Sequence, residues 1–357
     1  MEEQHQKKNI NNDDTIFKLK ESLMEEDIEN IIPNKSKFNQ NPNKFQTTKK
    51  YSELNSSLST NCSNNSNSIL DNSLYSLNKS IKNNDKPNLE QIKINYDYLY
   101  NLEYFDEIYT NLLFSQNKAK LRIDQNYMNK QNNINSQMRA ILVDWIIEVH
   151  YHYNFKRKTL FQTIYILDLF LSNNIIQKEN FQLLGATCLL ISCKENEVLY
   201  PSIQDFVNIS NNAYTKKELL IMEKLVLKVL NFEILYPTSE EFYNIISRTF
   251  NFNKIQHCLG EYFLDSSLID INILKYNAST IAIACAYIVM KFYKMDGYKI
   301  LYTSKMIIGG ESQKIIKKCA RELCFLVKSL SNSPFQAVKN KYSSEQLGNV
   351  AAICEQN

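Results

Sequence analysis

Two segments of this chain, LGATCLLISCK (residues 184–194) and IAIACAYIVMK (residues 281–291), are apolar around almost the whole helical circumference and mix Gly, Ala, Ser or Cys with large side chains. A helix of that kind has no face to give to water, and its small residues let neighbours approach closely, so each segment demands a shell of other helices. The sequence supplies a shell for each. Five helical patterns follow residue 137, at about 138–151, 158–172, 178–194, 202–209 and 215–230, with NFKR, SNN, LYPS and SNNAYT as breakers. Thr215 followed by Glu218 makes a capping box at the start of the fifth. After Tyr236-Pro237 the series runs again, at about 239–250, 254–270, 278–293, a short piece near 304–308, and 311–330. The offset of about 97 residues between the two apolar helices is domain-sized, too long for a solenoid repeat. The pattern therefore predicts an all-α chain of two tandem five-helix domains, at 138–236 and 237–334, each built round its third helix, with a tail at 335–357.

Composition narrows the function. Lys+Arg 41 against Asp+Glu 38 creates no general field for a polyanion, so direct nucleic-acid binding is not expected. No apolar run reaches the ~18 residues needed to span a bilayer, and MEEQHQKKNINNDD is too polar for a signal peptide, which points to nucleus or cytoplasm and to no membrane partner. The eight cysteines contain no C-x-x-C pair, lie mostly in apolar helical patterns, and have only four histidines for company, so neither a zinc site nor a disulfide framework is expected. All six glycines stand at or after Gly185, and no glycine-rich phosphate loop or nucleophile elbow occurs. No cofactor and no catalytic residue is implied; the chain does not read as an enzyme.

Residues 1–92 are rich in Asn, Ser, Lys and Gln, with runs such as STNCSNNSNS, and have too little apolar surface to offset the entropy of ordering them. This region reads as disordered. Within it TIFKLKESLMEEDIENII (residues 15–32) has apolar residues at roughly helical spacing, the pattern of a transient helix or of a segment that folds on a partner.

The stretch MRAILVDWIIEVH (residues 138–150) holds the only tryptophan. Met138, Ile141, Leu142, Trp145 and Val149 form one stripe, and Ala140, Val143, Ile146 and Ile147 are apolar on other sides. Arg139 and Asp144 cannot both reach open water from such a helix, and a charge that goes inside needs a partner. Periodicity alone leaves a snorkelling arginine and a buried pair both open.

At this point the residues carry a resemblance. MRAILVDWIIEV, TIYILDLFLS, FQLLGATCLLISCKE, YTKKELLIMEKLVLKVLNFEI and PTSEEF, in that order, resemble the cyclin family, best its A/B-type or mitotic branch, and AVKNKYSS (residues 337–344) is similar to the segment closing B-type cyclins. The resemblance runs from about Tyr104 to the C-terminus. It implies two five-helix cyclin boxes preceded by an N-terminal helix, here within 93–137, and a regulatory subunit that binds and activates a cyclin-dependent serine/threonine kinase as a heterodimer in G2/M control. ATP, magnesium and the catalytic aspartate would belong to the partner.

Residue by residue, the resemblance implies that Arg139 pairs with Asp168 as a buried bridge between the first two helices of the box. It implies a shallow groove for R-x-L-type substrate or inhibitor peptides at Met138, Ile141, Leu142, Trp145 and Gln182, with Glu148 at the rim; apolar surface beside an acid suits a basic peptide. Kinase binding would rest on Lys194 and Glu223, on Tyr104 and Ile108 of the N-terminal helix, and on Leu227, Phe232 and Ile234. One departure stands beside Lys194: the family's usual K-[FY]-E-E-[IM]-Y-P-P is here KENEVLYPS, with a glutamate at the aromatic position and one extra residue, which leaves the register of Asn196, Glu197 and Val198 open. Mitotic cyclins also meet ubiquitin-ligase machinery through an R-x-x-L box, yet no arginine precedes Arg122 and both K-E-N strings, at 178–180 and 194–196, fall inside the folded box. The alternative implied by the cyclin-box architecture, a TFIIB-like transcription or nucleic-acid-binding factor, calls for a basic face and a zinc ribbon that this sequence lacks.

Overall fold

The computed structural model describes residues 105–118, 122–295 and 312–355. The expected N-terminal disordered region, the segment 15–32 and the short helix near 304–308 lie outside the described residues. Among those described there are twelve α-helices and no strand. An N-terminal helix, α1 (Phe105–Gln116), precedes five helices of a first domain: α2 (Ser136–Tyr153), α3 (Arg157–Asn173), α4 (Phe181–Asn196), α5 (Ile203–Ile209) and α6 (Lys216–Val229). The second domain contains α7 (Ser239–Thr249), α8 (Lys254–Ser267), α9 (Ala278–Phe292) and α10 (Gln313–Leu330), and two short helices, α11 (Ala337–Tyr342) and α12 (Val350–Glu355), follow.

The two apolar segments are the central helices. In α4 every residue from Leu183 to Cys193 is buried, with α2, α3 and α6 packed round it; α9 is buried from Ser279 to Ala286 between α7, α8 and α10. Burial pushes the thiols of Cys188, Cys193 and Cys285 upward, so they stay protonated and pack as small hydrophobes. Helix starts follow the capping chemistry: Ser202, Thr215, Thr238 and Asn253 each form a reciprocal capping box with the third residue onward.

Two clusters of buried charge join what the chain keeps apart. In the first, Arg139 grips Asp168 with two hydrogen bonds, Nε to Oδ1 at 2.7 Å and Nη2 to Oδ2 at 2.6 Å, both side chains being 1% exposed. Tyr127 donates its hydroxyl to the same Oδ1 at 2.7 Å, and Arg139 Nη1 donates to the carbonyls of Leu268 and Ile269 at 3.0 and 3.3 Å, just past the end of α8. One guanidinium thus fastens α2 to α3, to the segment before α2, and to the second domain. A cavity of about 160 Å³ opens at this seam, lined in part by Arg139, Tyr165, Tyr236 and Tyr276, so directed polar bonds hold the domains where apolar packing is incomplete.

The second cluster lies at the start of α3. Arg157 reaches Glu261 at 2.8 Å and Asp265 at 2.7 Å, both on α8, and Asp265 also takes Lys341 at 2.7 Å and the Tyr342 hydroxyl at 2.9 Å. Burial alone would raise the Asp265 pKa; Arg157 and Lys341 outweigh it and hold the carboxyl below the usual range. The segment after residue 334, read from sequence as a tail, is therefore part of the core: Val338, Tyr342, Val350 and Ala351 are buried, and α11 packs on both α2 and α8. Asp144, the second charge inside α2, accepts the backbone N–H of Ala337 at 3.0 Å, meeting the exposed donor at the start of α11.

Beside this cluster His150 is buried, its Nε2 3.0 Å from the carbonyl of Lys156, an arrangement that makes it the N–H donor of a neutral ring. Burial, with the charge of Lys341 next, lowers its pKa to about 3. A histidine whose folded pKa lies below the unfolded value of about 6.5 removes stability as pH falls through that window, because only the unfolded chain takes up the proton. The expected loss at pH 5 is about 2 kcal/mol. Denaturant melts between pH 7 and pH 5 should show it, and His150→Gln should flatten the slope, leaving a smaller part from His152, which burial also lowers. An unchanged slope would contradict a neutral buried ring. For the first cluster, Arg139→Ala is expected to cost roughly 3–5 kcal/mol by stranding Asp168; a thermal midpoint shifted by no more than a few degrees would show the bridge to be dispensable.

Candidate functional site

Lys194 occupies the last turn of α4 and Glu223 the middle of α6, and packing of these helices brings Lys194 Nζ within 2.5 Å of Glu223 Oε1. The pair faces outward: the lysine side chain is exposed, the glutamate mostly covered. Leu227, half-buried, stands one turn on from Glu223. The helix then ends in two consecutive left-handed residues, Asn231 at φ 49° and Phe232 at φ 59°, with the Phe232 N–H closing back onto the Leu227 carbonyl at 3.0 Å. Asparagine tolerates that conformation; a bulky aromatic is uncommon there, at a cost on the order of 1–2 kcal/mol. The strained backbone holds Phe232 out to solvent at 72% exposure, with Leu235 also exposed and Ile234 half-buried.

The KENEVLYPS loop resolves on the other side of Lys194. Glu197 turns inward and is buried, accepting the Lys156 N–H at 2.8 Å and the Thr159 hydroxyl, so it caps the start of α3. Lys156 in turn donates its Nζ to the Asn196 carbonyl at 2.6 Å. With Glu197 anchored, the following residues swing out: Val198 is 71% exposed, and Leu199 and Tyr200 are also exposed before the buried Pro201. Sequence reasoning did not anticipate these three. The glutamate at the aromatic position is Glu195, which stays exposed; the inward turn belongs to Glu197 and depends on Lys156 and Thr159, 41 and 38 residues earlier in the chain. Ile108 of α1 is exposed too, while Tyr109 beside it is buried edge-on against Phe242 of α7. Tyr104 lies outside the described residues.

The second set of residues sits where α2 passes the start of α4. Met138, Ile141, Trp145 and Gln182 are half-buried and Glu148 is exposed, a shallow apolar strip with an acid at its edge. The Trp145 indole N–H finds no hydrogen-bond acceptor. Leu142 departs from the expected groove: it is 6% exposed and its side chain fills the space over Gly185, where an added Cβ would come within 2.8 Å of it. Its physical place is the α2–α4 contact, which the absence of a side chain at Gly185 permits.

Comparison with known proteins falls on this architecture. Residues 107–235 match the family described as "Cyclin, N-terminal domain" and residues 237–356 that described as "Cyclin, C-terminal domain". The chain is 30% identical over 253 residues to Cyclin-B2-4 of Arabidopsis thaliana, covering 71% of this chain and 58% of that protein. It is 33% identical over 252 residues to the G2/mitotic-specific cyclin-B of Hydra vulgaris, covering 70% and 68%. Against Cyclin-B2-1 of Oryza sativa subsp. japonica the identity is 36% over 185 residues, 52% of this chain and 44% of that protein, so the chain spans about half the length of the two plant relatives, 58% and 44%. A viral cyclin from herpesvirus saimiri shares the fold, with TM-score 0.54 at 16% identity over 62% of this chain and all of the other.

Proposed function

The chain belongs to the cyclin family, and from that premise we propose that it is the regulatory subunit of a cyclin-dependent protein kinase, acting at G2/M as its B-type similarity suggests. The observation that carries the reading is the outward Lys194–Glu223 pair with exposed apolar side chains on the segments that follow both helices, Val198, Leu199 and Tyr200 after α4 and Phe232 after α6. Apolar side chains of this size left open round an ion pair are costly unless something covers them, and the strained backbone at Phe232 adds to that cost. In this reading the work is done by binding energy: packing against the kinase's regulatory helix favours the arrangement in which its Lys–Glu ion pair and activation segment are in place. This chain supplies the surface and the partner the chemistry, with no catalytic group contributed from here.

Met138, Ile141, Trp145 and Gln182, with Glu148 at the edge, serve in the same reading as a dock for basic, R-x-L-type substrate peptides. The half-open apolar strip with Glu148 exposed at its edge supports it. Leu142 supports the strip from beneath and does not line it.

The test is kinase activity co-purified with the tagged chain on a histone-type substrate. Wild type should recover activity, Lys194→Ala/Glu223→Ala should lose most of it with the melting temperature unchanged within a few degrees, and Trp145→Ala should keep histone activity while losing preference for R-x-L-bearing substrates. Recovery of the same kinase by the double variant and wild type would overturn the assigned face.

A further inference from the structure

Helix α10 meets the core through Ile316, Cys319, Ala320, Leu323 and Val327. Its opposite face carries Lys314, Lys317, Lys318, Arg321 and Lys328, all exposed. At 3.6 residues per turn these five fall within one arc of about 100°, with Phe325 inside the same arc. Phe325 is 73% exposed. Glu322, the helix's one acid, is turned off this arc to Lys275, 2.8 Å away. Lysines and an arginine three and four residues apart repel one another, and a face that was merely solvated would intersperse acids among them. A large aromatic at the centre of a basic stripe adds an apolar contact point to the charge.

The complement is written elsewhere in the same chain. Residues 21–32, ESLMEEDIENII, hold five acids and no base, with Met24, Ile28, Ile31 and Ile32 at helical spacing and Glu21, Glu25 and Glu29 alongside. The acids match the cations of the α10 face and the apolar stripe offers cover for Phe325, whereas an inorganic anion would match by charge alone. Residues 33–104 lie between this segment and α1. At ~3.3 Å per residue that length of chain can extend well beyond the diameter of a folded body with a radius of gyration of about 18 Å, so chain length does not keep the segment from the α10 face.

We propose that residues 21–32 dock on the Lys314 to Lys328 face of α10, acids against the cations and the Met24/Ile28 stripe over Phe325. This contact stands apart from the kinase-facing surface and does not rest on that reading. The experiment is zero-length carbodiimide cross-linking of the full chain, as an equal mixture of unlabelled and ¹⁵N-labelled protein, followed by mass spectrometry. The expected result is amide links from Glu21, Glu25, Glu26 or Glu29 to Lys314, Lys317, Lys318 or Lys328 between peptides of one isotope. These links should be lost in Lys318→Glu/Arg321→Glu, and should return when Glu25→Lys/Glu29→Lys is added, with links formed through the swapped side chains. Mixed-isotope links would place a second copy on the face and overturn the proposal. So would an absence of links between the two segments while others form, or a charge swap that restores nothing.

Discussion

The guanidinium of Arg139 is the point on which the two domains hang together. It is buried where neither charge nor hydrogen-bonding capacity can be left unmet, and the chain meets it from three directions: the Asp168 carboxylate from α3, carbonyls past α8, and Tyr127 sharing the same carboxylate oxygen. Such a group is weak evidence of net stability, since apolar residues of equal volume can do as well. What it adds is specificity of arrangement: only one docking of the second domain presents the Leu268 and Ile269 carbonyls to the free edge of the fork. Arg157, clasping Glu261 and Asp265, repeats the device on the other side of α8, and Lys341 and Tyr342 bring the end of the chain into it. Asp144 completes the pattern by capping α11.

A scaffold fastened in this way can afford surfaces that do not help it fold. Phe232 is held in a left-handed conformation that an aromatic side chain resists, and Val198 stands in water because Glu197 has been drawn inward to cap α3. Both sit beside the Lys194–Glu223 pair, on the ends of helices whose other faces are fixed in the core. In the proposed reading the cost of these exposed groups falls on the free chain and is recovered when a kinase partner covers them.

Much of the fold was legible because it is local. The all-round apolar character of α4 and α9 required surrounding helices, the capping boxes marked helix starts, and the repeat after Tyr236-Pro237 gave the second domain. What stayed hidden depends on partners far along the chain. Glu261 and Asp265 look like an ordinary acidic pair one turn apart on a helix until Arg157, about a hundred residues away, is placed between them; the apolar Tyr-Phe-Leu run between the two acids was the only hint. Leu142 belongs to the same helical stripe as Met138 and Trp145, and only the missing side chain at Gly185 on a neighbouring helix decides that it goes inside. The role of Glu197 was invisible for the same reason: a cap on α3 cannot be read from a loop that follows α4.

The central claim is that the Lys194–Glu223 face is where a kinase is held. Hydrogen–deuterium exchange of this chain, alone and saturated with a purified cyclin-dependent kinase, tests it most directly. The account predicts slowed exchange at residues 194–200 and along 223–235, with the α2 strip round Trp145 unchanged until an R-x-L peptide is added. Protection confined to other faces, or none with the kinase in excess, would contradict it.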